Sequence, residues 1–367
     1  MALRFVHTAD WQLGRPFTRF PEELAGRLRA ARLGAIERIV GAARAHGAAH
    51  VLVAGDVWDQ ETPSETTLVQ PLDLMARASD LIWWLLPGNH DPARPNGLWE
   101  RIATLGPPAN VRLCVEAAPL CLREGFWLLP APLGRREVAV DPTGVFDAMA
   151  TPAGEPRIGL AHGGVVDFAT AGEAAAVIAP DRAARSGLAY LALGDWHGRL
   201  GIDRRTWYAG TPEPDRFAVN DPGWCLAVTL AGGDAPPVVE AVRTAEFRWH
   251  GERVELLPGA EPEVFDRLTR DPSIPAARTL ARLDLAGTMG LAERAALEAR
   301  LDQLARQLAH LEWRDDDLAT LVEAGDLDAL GETGSLRAAG EALAARADAD
   351  PAARRALDLL YGWASRP

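Results

Sequence analysis

The sequence contains no lysine. All 38 basic residues are arginine, set against 51 acidic ones, for a net charge of −13 over 367 residues. Duplex nucleic acid is held largely by cationic contacts to phosphate, so a generally basic, polyanion-coating surface is excluded. Any nucleic-acid surface here must be a local arginine patch, or depend on metal ions or a partner. Cysteine is also scarce. Cys114, Cys121 and Cys225 are odd in number and form no C-x-x-C pair; a disulfide framework or zinc knuckle is not expected, and a reducing, cytoplasmic setting fits best. No stretch approaches the roughly 20 apolar residues that a membrane span needs, so no membrane association is expected. Met1–Phe5 runs straight into strand-like sequence, and no signal peptide is expected. With 48% hydrophobic and 24% charged residues, the composition is ordinary for a globular chain long enough for two domains.

The chain is organised around Leu85-Leu86-Pro87-Gly88-Asn89-His90-Asp91, where an apolar run from Leu81 ends in a polar tip. Pro87 and Gly88 stop the strand and turn the backbone. Two similar strand ends precede it. Leu3 to Thr8 leads into Ala9-Asp10-Trp11-Gln12, and Val51 to Ala54 leads into Gly55-Asp56-Val57-Trp58-Asp59. Between them, Leu24, Leu28, Ala31, Ala35 and Ile39 fall at helical spacing, with Arg and Glu on the other face. Ser64 is a candidate N-cap for the next helix, which Pro71 must kink or split. Strand, helix, strand, helix, strand argues for a mostly parallel α/β sheet, whose ligands bind at the strands' carboxyl ends. Further short strands are expected at Val111–Cys114, Phe126–Leu129, Ile158–Ala161, Tyr190–Leu193, Thr206–Ala209, Trp224–Leu230 and Val238–Val242.

The composition shifts near Ala245, so residues 1–245 read as one domain and 246–367 as a smaller α+β second domain. In the latter, Phe247–Leu257 reads as a strand pair, Pro262–Arg270 and Leu291–Leu311 as helices, Thr279–Leu285 as a strand and Asp315–Pro367 as several short helices.

Five strand ends present Asp10/Gln12, Asp56/Asp59, Asn89/His90, His162 and Asp195/His197. Carboxylate, amide oxygen and imidazole together suit Mn²⁺, Fe²⁺ or Zn²⁺. The other five histidines, His7, His46, His50, His250 and His310, lie in element bodies or in the second domain and read as structural.

The order Asp-x-Gln, Gly-Asp-x-x-Asp, Gly-Asn-His-Asp, His-Gly and Gly-Asp-x-His resembles the calcineurin-like metallophosphoesterases. His7-Thr8-Ala9-Asp10-Trp11-Gln12-Leu13-Gly14 and Ala54-Gly55-Asp56-Val57-Trp58-Asp59, with Pro63-Ser64 following, resemble the SbcD-type DNA repair exonucleases within that family. The resemblance implies a four-layer α/β/β/α core with a small cap, and two divalent ions, Mn²⁺ first, with Fe²⁺, Zn²⁺ or Mg²⁺ as the alternatives. Asp10, Gln12, Asp56 and His197 would hold one ion; Asp56, Asn89, His162 and Asp195 would hold the other. It implies metal-assisted in-line displacement at phosphorus, with His90 protonating the leaving oxygen or stabilising the transition state. Asp59 would orient His90, or simply cap its loop. The implied partners are DNA, an SbcC-like coiled-coil ATPase and a second copy of the chain. Two positions depart from the family: Gln12 stands where it has histidine, and Asp195 where it has the first histidine of Gly-His-x-His.

That substitution pattern leaves three readings: a metal-dependent DNA exo/endonuclease, a phosphodiesterase for a small molecule or nucleotide, and a non-catalytic metal-binding scaffold. Trp11, Trp58 and Trp196 are either platforms for bases or walls that fix the ligands, the second being preferred. Arg15, Arg94, Arg199, Arg204, Arg205 and Arg216 lie close in sequence to the site loops, and the turn-rich loop Gly210–Phe217 is expected to rim the site.

Overall fold

The computed structural model describes residues 2–136, 140–165, 177–217, 220–232, 235–257, 263–270, 274–321, 334–347 and 349–364. The chain divides into two compact units: Met1–Asp215 with Asn220–Phe247, and Arg216–Val219 with Arg248–Pro367. Among the described residues no helix is long and apolar enough to cross a membrane.

In the first unit the chain runs β1 (Leu3–Thr8), α1 (Glu22–His46), β2 (His50–Val53), α2 (Glu65–Arg77), β3 (Ile82–Leu85), α3 (Leu98–Leu105), β4 (Val111–Leu113), β5 (Leu120–Arg123) and β6 (Phe126–Ala131). It continues through β7 (Arg157–His162), β8 (Gly164–Val165), β9 (Val177–Ile178), α4 (Arg182–Arg185), β10 (Tyr190–Gly194), β11 (Leu200–Gly201), β12 (Thr206–Tyr208), β13 (Trp224–Leu230) and β14 (Val238–Arg243). Two six-stranded sheets result, ordered β14-β13-β1-β2-β3-β4 and β11-β12-β10-β7-β6-β5.

Strands β1, β2 and β3 are parallel, with Thr8 level with Val53 and Val53 level with Leu85. In the second sheet β6, β7 and β10 are parallel, with Ala131 level with Ala161 and His162 level with Gly194. The carboxyl ends of each set therefore finish together, which is what gathers the motif residues.

Burial explains the layers. Leu3, Phe5, Leu52 and Trp84 of the first sheet share one core with Leu128, Ile158, Leu160, Tyr190 and Ala192 of the second. The other face of the first sheet, through Val6, Val51, Val53, Trp83 and Leu85, packs on Ile36, Ile39, Ala43, Leu68, Leu72, Met75 and Ile102 of its helices. Burying a large aliphatic side chain contributes about 1.5–3 kcal/mol, so these two contiguous cores dominate the unit. The outer face of the second sheet is covered by Phe146 of a 3-10 segment (Pro142–Ala148) and Ala183 of α4. The α/β/β core is as expected, but its fourth layer is thin among the described residues.

Two local details bear on the site. Arg32 of α1 is 2% exposed, so the charged residues of this helix do not all face solvent. Pro71 sits inside α2, where its missing N–H would have bonded the carbonyl four residues back, that of Thr67. The Trp58 indole N–H donates to that carbonyl at 3.2 Å, and the helix runs through without splitting. Ser64 caps α2, its hydroxyl accepting from Thr67 N at 3.2 Å.

The second unit contains β15 (Arg248–Leu256), α5 (Glu263–Arg270), β16 (Thr279–Gly290), α6 (Leu291–Gln307), β17 (His310–Leu321), α7 (Ser335–Ala344) and α8 (Pro351–Ala364). Its three strands form one parallel sheet with β16 central, joined by two strand–helix–strand crossovers. Phe247–Leu257 is thus one strand rather than a pair. Residues 310–311 and 315–321, expected to be helical, fall within an edge strand, His310–Leu321. Its charged Glu312, Arg314 and Asp315–Asp317 hide the alternation that a half-buried strand would show, as edge strands often do. Residues 322–333, 348 and 365–367 of the expected run of short helices, and Pro262, lie outside the described residues.

Candidate metal centre

Each site loop leaves a buried parallel strand, and neighbouring loops extend the pairing past the sheet's edge. Asp10 N donates to Gly55 O at 3.1 Å, Gln12 N to Asp56 O at 2.9 Å, Leu13 N to Val57 O at 2.9 Å and Asp59 N to Leu13 O at 2.9 Å. Asp10, Gln12, Asp56 and Asp195 all take positive φ, of 54°, 48°, 53° and 103°. Such a conformation is costly for a side-chain-bearing residue and persists only where surrounding bonds enforce it. Gly88 is required for a different reason: a Cβ there would lie 2.1 Å from Asp56 Oδ1.

The structure brings six of the seven sequence-derived ligand candidates into one set of contacts. One ligand atom each from Asp10, Asp56 and His162 lie within 4.8 Å of one another, all three residues being buried. Asp10 Oδ1 accepts from Asp195 N at 3.1 Å, and Gln12 Nε2 donates to Asp56 Oδ2 at 2.7 Å. His162 Nε2 is 3.5 Å from Asp56 Oδ1 and 3.8 Å from Asp195 Oδ1. The inward atom of the Asn89 amide is 2.9 Å from His162 Nε2 and 3.2 and 3.1 Å from the two Asp56 oxygens. His197 is the seventh; its charge is felt by Asp10, and its Nδ1 meets Asp215 Oδ1 at 3.2 Å.

These atoms fit a cation. His162 Nδ1 faces the Ala54 carbonyl at 2.8 Å. That oxygen can only accept, so in the neutral ring the proton sits on Nδ1 and Nε2 offers a lone pair. With its nitrogen inward the Asn89 amide donates to His162 Nε2 and both Asp56 oxygens; with its oxygen inward it faces acceptors alone, the arrangement a bound cation would favour. Gln12 Oε1 is likewise buried with no hydrogen-bond partner among the described residues. Carboxylate, amide and imidazole donors are the set that Mn²⁺-like ions prefer.

The electrostatics agree. Burial first, then the neighbouring Asp56, pushes the Asp10 carboxyl up, His197 and His162 offsetting part of this. Asp195 is raised to about 6, chiefly by burial. Burial would lower His162, but Asp56, Asp10 and Asp195 raise it to about 9. Too many anions share one dry space, and positive charge is what the space favours.

His90 stands beside this cluster. Its backbone N–H donates to Asp56 Oδ1 at 2.9 Å, and its Nδ1 meets the Asp59 carbonyl at 2.9 Å. The ring is therefore oriented by Asp59, but through the main chain; the Asp59 carboxylate turns to Arg15 at 3.3 Å. The Nδ1–H tautomer leaves Nε2 with a lone pair.

Three supporting residues escaped the sequence reading. Asp91 is buried, accepting Gly88 N at 2.7 Å and Trp58 N at 3.0 Å, so it ties the β3 loop to the β2 loop. Asp215 receives His197 Nδ1–H and pairs with Arg15 at 3.2 Å; burial would raise its carboxyl, but His197, Arg32 and Arg15 hold it well below the usual range. Arg32 donates to Trp11 O at 2.6 Å, Glu213 O at 2.8 Å and Thr211 Oγ1 at 3.3 Å, joining the β1 loop to the 211–215 loop. Only Asp91, directly after Asn89-His90, and Asp215, in the loop expected to rim the site, stood near a motif.

Of the tryptophans, Trp11 and Trp58 are 1% and 0% exposed and belong to the first sheet's core, Trp11 edge-on to Trp83 and Trp58 to Trp99. They support the loops from behind. Trp196 is 37% exposed. Among the arginines, Arg94 pairs with Glu61 at 3.1 Å and Arg199 with Asp221 at 2.9 Å.

No curated protein matches the sequence. Among solved structures, TT1561 of Thermus thermophilus is similar with a TM-score of 0.42 and 12% identity, over 66% of this chain and 100% of that one. The family model for the calcineurin-like phosphoesterases matches residues 3–223, the stretch that carries every ligand candidate, the whole second sheet and β1 to β4 of the first. The chain belongs to the calcineurin-like phosphoesterase family.

Proposed function

We propose that the phosphoester this metal-dependent hydrolase cleaves is a DNA phosphodiester, and that it works as the nuclease subunit of a repair complex of the SbcD type. The observation that carries hydrolysis is the convergence of ligand atoms from Asp10, Asp56, Asn89 and His162, with the buried Gln12 Oε1 lacking a hydrogen-bond partner among the described residues, beside the His90 ring. Support for DNA comes from the SbcD-like text around Asp10 and Asp56.

Asp10, Gln12, Asp56 and His197 are the residues for one ion, and Asp56, Asn89, His162 and Asp195 for the other, Asp56 being shared. Bound there, divalent ions supply Lewis acidity toward the phosphoryl oxygens and a nucleophile from water near neutral pH. The chain's own residues do the rest. Asp215 holds His197 by its Nδ1–H, so Nε2 is the atom that would be offered to an ion. Asp59 O and Asp56 Oδ1 fix the His90 ring and backbone, so that Nε2, when protonated, delivers a proton to the leaving oxygen. The oxygen-rich donor set suggests Mn²⁺ first. An SbcC-like coiled-coil ATPase, a homodimer and a cytoplasmic setting belong to the same proposal, with the second unit as cap.

A second reading, a non-catalytic scaffold, is favoured by Gln12, which commits its amide N–H to the shared carboxylate. Labelled linear DNA and bis(4-nitrophenyl) phosphate should be incubated with Mn²⁺, Mg²⁺ and a chelator side by side. Metal-dependent cleavage of DNA is expected. Cleavage of the small diester alone would point to a small-molecule phosphodiesterase. Bound metal with neither substrate cleaved would favour the scaffold.

A further inference from the structure

The acidic balance of the chain makes any concentration of positive charge informative, and one lies beside the metal centre. Arg94, Pro95, Gly134, Arg135 and Arg136 line an open cleft of about 650 Å³. Two loops build it. One is the continuation of the β3 loop, four residues beyond His90, so Arg94 lies within about 14 Å of His90 along the chain. The other follows β6, which runs parallel to β7 with Ala131 level with Ala161, one residue before His162. Ala93 N donates to Leu133 O at 2.8 Å, which clips the two loops together. The cleft thus lies at the same strand ends as the candidate ligands.

Its charge is available. Arg135 and Arg136 are exposed and form no ion pair among the described residues. Among the described residues Arg94 pairs only with Glu61, at 3.1 Å, the side chains being 47% and 34% exposed. A pair so open to water is worth about 0–1 kcal/mol, and a phosphate can replace the carboxylate. Guanidinium groups match phosphate oxygens with two parallel hydrogen bonds. Among the described residues no aromatic side chain lines the cleft, so it suits backbone phosphates rather than bases.

We propose that Arg94, Arg135 and Arg136 form the phosphate track that seats a nucleic-acid strand next to the metal centre. This rests on the reading of DNA as substrate. It also gives a chain of net charge −13 a local source of attraction for a polyanion, in a cleft at the same strand ends as the candidate ligands.

The test is binding of a fluorescein-labelled single strand by anisotropy over a salt series, in a Mn²⁺-loaded His90→Ala background that does not cut it. A triple Arg94→Ala, Arg135→Ala, Arg136→Ala variant should make the slope of log affinity against log salt shallower by about 2, at ~0.7 per phosphate contact, and weaken binding about a hundredfold at ~0.1 M salt. Should the triple variant fold poorly, the double Arg135→Gln, Arg136→Gln should still lose about 1.4 of slope. Equal slope and affinity in a folded variant, with the parent binding DNA, would overturn the track and leave the DNA reading standing. No binding by the parent would overturn both. Affinity should also rise with oligonucleotide length; affinity independent of length, and matched by a mononucleotide, would mark a pocket for a single phosphate and overturn the strand assignment.

Discussion

Gln12 Nε2 donates to Asp56 Oδ2 at 2.7 Å, so a residue that departs from the family's ligand pattern is tied to the carboxylate that two ions would share. The amide does two things there. Its N–H takes one lone pair of Asp56, and its buried Oε1 remains without a partner among the described residues. Gln12→Glu replaces that donor by an anion facing Asp56. The metal-free protein should lose about 1–3 kcal/mol of stability, and Mn²⁺ should raise the melting temperature by more than it does in the parent. A smaller Mn²⁺-induced rise would mean that position 12 does not face the ions.

His90→Ala should leave Mn²⁺ stoichiometry and melting temperature close to the parent's and reduce turnover by about 10²–10⁴, the usual worth of a general acid. The ring meets only the Asp59 carbonyl, while the bond to Asp56 comes from the backbone N–H, which alanine keeps. Loss of bound metal would make His90 a ligand instead.

Asp215→Asn removes the charge that orients His197 and pairs with Arg15. Mn²⁺ affinity by calorimetric titration should fall about 10–100-fold, as for other partners of metal-binding histidines. An unchanged affinity would detach Asp215 and His197 from the ions.

Arg32→Met should cost about 3 kcal/mol in denaturant unfolding, because the Trp11 and Glu213 carbonyls lose a buried charged donor together. A cost under about 1 kcal/mol, the scale of an ordinary hydrogen bond, would show that water replaces the guanidinium.

His7 and His50 are buried and lowered to about 3 and about 4, chiefly by desolvation. Both are neutral when folded, whereas the unfolded chain takes up their protons below about 6.5. Their contribution is complete above that value and is lost as pH falls, toward about 4 for His50 and about 3 for His7. His50→Gln keeps an acceptor for the Trp84 N–H, which His50 Nδ1 accepts at 3.3 Å. Measured against this variant, the parent should lose stability between pH 6 and 4.5 with a slope approaching about 1.4 kcal/mol per unit. Parallel stability curves would mean that His50 is protonated in the fold.

What could be read from the sequence was what periodicity and strand ends encode. The apolar runs before Asp10, Asp56, Asn89, His162 and Asp195 are buried strands, and a parallel register brings their tips together. What could not be read were pairings without local pattern. Asp91 looked like one more polar residue after the β3 tip, and its role depends on Trp58, 33 positions away. Arg32 lay in an amphipathic helix whose charges were assigned to water, yet its partners lie up to 181 residues further along. β17 failed for the opposite reason: an edge strand tolerates charges that a helix would also carry.

The ligand loops carry their own ladder of main-chain hydrogen bonds, from Asp10 to Gly55, Gln12 to Asp56, Leu13 to Val57 and Asp59 to Leu13. None of those bonds involves a side chain, so the scaffold records where a donor must stand and is indifferent to which donor it is. Glutamine at 12 stands in that ladder, whereas aspartate at 195 is held through its N–H by the Asp10 carboxylate. A donor exchanged at position 12 therefore changes what the loop offers a cation while leaving its main-chain bonds in place.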